Sequence, residues 1–232
     1  MWAVTITANS TTRFYDNFEA PDAVGSAPSA NVGSWSVFGA GQLAVSNAVP
    51  PGAFDGNQYL KMWRTGGGGT AAAADFGLTS SGNLKAAFSL FIPTGSPNAV
   101  AYIMLGPDAN NVNTPKVLLF VKPSTDNKVY YYNSTQTSEL DTGFTYQPGV
   151  WQTWQIGYTF DPVNPDPWTV SVNGNTSTSI HSPGVTDGNL QYLNFSTGAF
   201  NSEFFLDAPE PSAAVLVGLA GLALWRRKRT AE

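Results

Sequence analysis

Few side chains in this sequence are of the kinds that do chemistry, and their spacing limits what that chemistry could be. The single histidine, His181, lies in Ile180-His181-Ser182-Pro183-Gly184, a turn composition with no arginine near it, and it reads as a surface-loop residue. No cysteine is present, which removes disulfides, thiolate metal sites and a cysteine nucleophile. Two loops, Asp108-Ala109-Asn110-Asn111-Val112-Asn113 and Asp161-Pro162-Val163-Asn164-Pro165-Asp166, each offer several side-chain oxygens. Calcium, which takes six to eight oxygens, is the ion they would suit, with Asp108, Asn110, Asp161 and Asp166 as candidate ligands. Neither loop has EF-hand spacing, and Asp and Asn also populate turns for conformational reasons alone. Glycan recognition would need aromatic rings to stack on sugar faces. The candidates are Tyr130, Tyr131 and Tyr132, with Trp63 and Trp151; the competing reading is that these rings fill a core or cover sheet edges. Consecutive strand residues face opposite sides, so at least one of the three tyrosines is expected outside. Gly66–Gly69 lacks the Lys-Ser/Thr and helix of a phosphate cradle and reads as a loop. Asn9, Asn133, Asn175 and Asn194 stand in Asn-x-Ser/Thr triplets, read here as an Asn- and Thr-rich surface.

Short strands must position these residues. Leu84, Ala86, Phe88, Leu90 and Ile92 recur with a period of two, as do Trp154, Ile156, Tyr158 and Phe160, and Trp168, Val170 and Val172. Val117–Val121 is a continuous apolar run between lysines, the pattern of a strand covered on both faces. The 23 glycines and 16 prolines fall at regular gaps and cut the chain into short pieces. No stretch of the body sustains helical spacing. About a dozen strands are too many for one open sheet, which predicts an all-β fold of two packed antiparallel sheets.

Composition agrees with a folded body: 42% of residues are hydrophobic and 12% charged. The formal net charge is −5, but Arg226, Arg227, Lys228 and Arg229 hold four of the 11 basic residues, leaving residues 1–208 at −7. A body that acidic is a poor nucleic-acid partner. With only Arg13 and Arg64 as arginines, it also suits a polyanion badly. Ahead of the basic cluster, Ala213–Trp225 is an apolar run that as a helix would cover only ~20 Å. Nothing in the sequence follows to bury it, so it is read as a membrane-inserting tail with its basic residues snorkelling at the cytoplasmic face.

Pro209-Glu210-Pro211-Ser212, the apolar run and Arg226–Arg229, in that order, closely resemble the PEP-CTERM sorting signal of Gram-negative bacteria that make exopolysaccharide. The resemblance implies export, a transient inner-membrane intermediate, and exosortase, a membrane transpeptidase, as the partner that removes the tail. Residues 1–12 lack the basic and apolar regions of a secretory leader and are set apart as an incomplete or misassigned start.

The body resembles concanavalin-A-like jelly rolls of the laminin-G-like branch. Phe14-Tyr15-Asp16-Asn17-Phe18-Glu19 matches the opening strand, and Gly149–Asp161 the long central strand. A hairpin at Asn173-Gly174 and a closing strand, Phe204-Phe205-Leu206-Asp207, complete the likeness. β-Glucanases of this fold carry Glu-x-Asp-x-(x)-Glu on a strand. Glu139-Leu140-Asp141-Thr142-Gly143-Phe144 supplies the first Glu and the Asp but not the second Glu, so it lacks an acid–nucleophile pair and reads as loop or edge-strand solvation. Lyases of the fold need a Tyr/His pair with Arg and Gln, and no arginine lies near His181 in sequence. The domain reading is therefore 1–12, a sandwich over 13–207, and a sorting tail over 208–232. The functional expectation is an exported surface or matrix protein that binds exopolysaccharide without cleaving it. The alternatives are a glycosidase or lyase of the same fold, or a structural protein without a ligand.

Overall fold

The computed structural model describes residues 4–19, 22–38, 43–48, 53, 56–64, 70–94, 101–109, 117–121, 127–132, 139–160, 167–177, 180–181, 189–197 and 203–207. The sorting tail, with Pro209, Glu210, Pro211, Ser212 and Arg226–Arg229, lies outside them, as do Asn110, Asp161 and Asp166. The described residues form strands and no helix. In chain order these are β1 (Val4–Ala8), β2 (Thr11–Asp16), β3 (Ser34–Phe38), β4 (Leu43–Ser46), β5 (Tyr59–Trp63) and β6 (Ala71–Thr79). Next come β7 (Asn83–Phe91), β8 (Ala101–Gly106), β9 (Val117–Val121), β10 (Lys128–Tyr132), β11 (Glu139–Thr145) and β12 (Trp151–Thr159). The last are β13 (Pro167–Val172), β14 (Asn175–Thr176), β15 (Ile180–His181), β16 (Leu190–Thr197) and β17 (Glu203–Asp207).

The strands make two antiparallel sheets, as the alternation predicts. One has ten strands, ordered β14-β13-β12-β7-β17-β5-β4, with β1, β2 and β15 attached; the other has seven, ordered β11-β10-β9-β8-β16-β6-β3. Closure of the jelly roll is visible on β7. Leu84–Ala87 pair with β1 and Ser89–Phe91 with β17, so the first and last strands lie end to end along one edge. β1 falls inside the segment 1–12 that the sequence reading sets apart, and its pairing with β2 and β7 makes Val4–Ala8 part of the sandwich. His181 also differs from its turn assignment: its backbone pairs with Pro167 at the sheet edge. At Asn173-Gly174 the φ angles of 50° and 83° fit the predicted two-residue type I′ hairpin between β13 and β14.

The core fills the space between the sheets. Phe88 stacks on Trp154 at 6.4 Å within the ten-stranded sheet and meets Phe195 of the seven-stranded sheet edge-on at 5.0 Å. Burying each such ring stabilises the fold by roughly 2–3 kcal/mol. One polar contact also bridges the sheets: the Trp35 indole, on β3, donates to Asp16 at the end of β2. The Phe18 amide donates to the other carboxylate oxygen at 2.8 Å. Asp16 is 1% exposed. Burial raises its pKa to about 7 against the lowering effect of these two hydrogen bonds, and the charge of Asp22 adds a further rise.

Candidate functional site

The seven-stranded sheet has one face on the core and one turned away from it, and the pairing register determines what the second face carries. On β8, Ala101, Ile103 and Leu105 join the core, which puts Tyr102, Met104 and Gly106 on the opposite face of the sheet, where Met104 is itself buried. They stand opposite Ser196, Asn194 and Tyr192 of β16. Those three in turn oppose Ala71, Ala73 and Asp75 of β6. On β10 the Tyr131 ring meets Trp168 edge-on at 5.4 Å, packed against the core. Tyr130 therefore lies on the outer face, half-buried and opposite Asp141. The backbone of Tyr132 pairs with Glu139.

A β-bulge sharpens this face. The register of β16 against β6 shifts between Leu190 and Tyr192. Leu190 and Leu193 both stay in the core, so Gln191 and Tyr192 emerge on the same outer side. The Gln191 amide donates to both Asp75 carboxylate oxygens at 3.3 Å and to the Tyr192 hydroxyl at 3.0 Å. The Gly77 amide fixes Asp75 from the other side at 2.9 Å. Burial, then the charge of Asp75 and its hydrogen bond, then the charge of Asp108, push the Tyr192 phenol above its ordinary value. It keeps its proton at neutral pH. Beside it, Asn194 is 5% exposed; its side-chain amide donates to the Asp108 carbonyl at 3.5 Å, and its Oδ1 has no donor among the described residues. Asp75 also lines a shallow cleft of about 470 Å³ shared with Thr12, Arg13 and Ser34.

The far end of the face is ionic. Lys128 reaches Asp141 at 2.7 Å, and the Gly143 amide donates to the same carboxylate at 2.7 Å. Hydrogen bonding to Lys128, then to Gly143, holds Asp141 below the usual carboxylate range, so it remains ionised and cannot deliver a proton. Glu139 and Asp141 lie on an edge strand, β11, as expected.

The aromatic candidates thus divide. Tyr130 lies on the seven-stranded face and Tyr131 packs inward, while Trp63 and Trp151 lie on the outer face of the ten-stranded sheet. Of the calcium candidates only Asp108 is described; it is exposed in the turn after β8, and among the described residues no three His, Asp or Glu side chains gather as a metal site. Sequence reasoning missed Tyr102, Gln191, Tyr192 and Asp75. Tyr102 sits in an apolar run without clear alternation, and Gln191 depends on a bulge that no spacing announces. Asn194, read as a surface residue of a triplet, is buried.

No family model matches the sequence, and no curated protein matches it. Solved structures do resemble the fold. A sialidase aligns with a TM-score of 0.54 and 13% identity over 75% of this chain, which spans only 16% of that protein. An endo-β-1,4-glucuronan lyase from the fungus Trichoderma reesei aligns at 0.52 and 13%, covering 75% of this chain and 88% of the other. The carbohydrate recognition domain of Emp47p aligns at 0.50 and 12%, covering 87% and 96%. At such identities the likeness concerns architecture: the described body is a jelly-roll β-sandwich of the concanavalin-A-like type.

Proposed function

We propose that this chain is an exported surface or matrix protein whose sandwich binds a neutral polysaccharide on the outer face of its seven-stranded sheet without cleaving it. The observation that carries the reading is the register that gathers Tyr102, Tyr130 and Tyr192 with Gln191, Asn194 and Asp75 on one face. Rings can stack on sugar faces, while amide and carboxylate groups meet hydroxyls from the side. A net charge of −7 over residues 1–208 favours an uncharged glycan over an acidic one. Two same-fold neighbours, the glucuronan lyase and the carbohydrate recognition domain of Emp47p, support a polysaccharide-related role. Export and release by exosortase at Pro209-Glu210-Pro211-Ser212 rest on the resemblance of the tail alone.

The test is calorimetry of the full chain with three neutral polysaccharides (a β-glucan, a galactomannan and a dextran), with and without chelator, and an assay for new reducing ends. Saturable binding to at least one, weakened about tenfold by Tyr130→Ala or Gln191→Ala, is the expected result. New reducing ends, or no binding to any of the three, would overturn the reading. Loss of binding in chelator would bring the Asp108 and Asp161 loops into the site.

A further inference from the structure

The outer face of the ten-stranded sheet carries a second aromatic array. Trp151, Phe91, Phe205 and Lys61 occupy one register row across β12, β7, β17 and β5. Trp63 lies two residues beyond Lys61 on the same side of β5. Neighbouring rings pack edge-on or tilted: Phe91 lies 5.5 Å from both Trp151 and Phe205, and Tyr59 lies 5.3 Å from Phe205 and 6.1 Å from Trp151. Tyr59 and Phe205 are buried, whereas Trp151, Phe91 and Trp63 are only half-buried and show part of their rings outside. The Lys61 ammonium lies 5.4 Å from the Trp63 ring centre and 5.8 Å from that of Phe205, and it pairs with Glu203 at 2.5 Å.

We propose that this aromatic platform is a second polysaccharide-binding site, on the opposite face of the sandwich from the first, so that one molecule cross-links two glycan chains. Three features select the ligand class. The rings that show at the surface are two tryptophans and a phenylalanine, which suits CH-rich sugar faces. The charges at the site neutralise each other, so neither an acidic nor a basic partner gains from approaching. The paired Lys61 and Glu203 still offer donors and an acceptor at the rim of the rings, which hydroxyl groups can use. Trp63 and Trp151 stand three strand spacings apart and one side-chain repeat along, roughly 16 Å, which calls for an extended chain rather than one sugar ring. The platform's own binding is independent of the seven-stranded face, whereas the cross-linking rests on the proposed function.

The experiment mixes the full chain with the same β-glucan, galactomannan and dextran and follows turbidity, together with acrylamide quenching of tryptophan fluorescence. Trp154 and Trp168 are buried in the core and Trp35 is partly buried between the sheets, so protection is assigned to the platform by its loss in the Trp63→Ala/Trp151→Ala variant. Expected are protection from quenching and turbidity with at least one polymer. Turbidity should fall at least tenfold in the double variant Trp63→Ala/Trp151→Ala, while calorimetric affinity at the first face stays within about twofold. Absence of protection in the wild-type chain with all three polymers would overturn the proposal without relying on any variant, and so would turbidity unchanged in the double variant. If Tyr130→Ala and Gln191→Ala leave binding intact while the tryptophan variant abolishes it, the first face and the cross-linking fail and the platform stands as a single site.

Discussion

The two outer faces of the sandwich solve the same problem, a sheet surface turned away from the core, with different chemistry. The seven-stranded face holds phenols, amides and a carboxylate joined by hydrogen bonds: Asp75 to Gln191, Gln191 to Tyr192, and Asn194 to the Asp108 carbonyl. Its geometry is directional, because each group has a limited number of partners. The ten-stranded face instead packs ring against ring, from Trp151 through Phe91 and Phe205 to Tyr59. Its rigidity comes mainly from contact area, with the Lys61–Glu203 pair and the Tyr59 hydroxyl, which donates to the Ala48 carbonyl at 3.1 Å, as directional features. A polar lattice distinguishes ligands by hydroxyl placement; a stacked platform holds any chain that presents a flat apolar side. On the proposed readings, the two faces differ in selectivity more than in capacity to bind.

Both faces rest on one core, and the largest expected effect tests that. Phe88→Ala removes the ring that links Trp154 to Phe195, and it should cost about 3–5 kcal/mol. Denaturant unfolding followed by tryptophan fluorescence and by near-ultraviolet tyrosine dichroism should then shift together; separate transitions would mean that the faces are independent units.

The Asp16–Trp35 bridge comes next. The folded pKa of about 7 lies above the model-compound value of 3.8. The contribution of Asp16 to stability is therefore fully present below about pH 3.8, declines as pH rises towards 7, and is flat above that. At about 1.4 kcal/mol per pH unit the loss is at most about 4 kcal/mol. Asp16→Asn should flatten the slope of stability against pH in this window, measured by urea unfolding; a slope unchanged in the variant would contradict the assignment.

Asn194→Ala separates binding from folding. It deletes a buried acceptor that has no donor among the described residues, together with a long 3.5 Å hydrogen bond, so stability should hold or rise slightly by urea unfolding. Its Oδ1 is closed to solvent, so glycan affinity should stay within about twofold by calorimetry; a tenfold loss would mean that ligand reaches the buried amide. The smallest effect belongs to Lys128→Ala, which breaks a surface pair worth under about 1 kcal/mol and should be invisible above moderate salt.

Much of the fold was legible in the sequence because strand alternation is a local signal. The periods at Leu84–Ile92 and Trp154–Phe160 mark the inward residues of β7 and β12, and Asn173-Gly174 marks its hairpin. The site was legible only in part. Tyr130 and Tyr131 fall on opposite faces as alternation requires, but which one faces the core depends on Trp168 from the other sheet. Gln191 is aimed by a bulge, and Asn194 is buried by its surroundings, so neither follows from neighbours in sequence. Trp63 and Trp151 could be named as candidates, yet only the order of β5, β17, β7 and β12 puts them on one face.

The most direct test of the central claim is an amide NMR titration of the full chain with the same three neutral polysaccharides, supplied as short oligosaccharides. Saturable shifts are expected with at least one of them in Ala101–Gly106, Lys128–Tyr132 and Leu190–Thr197, the strands β8, β10 and β16, apart from any shifts at the aromatic platform of the other sheet. Those strands remaining unshifted with all three ligands, or ligand signals changing to those of shorter products, would contradict it.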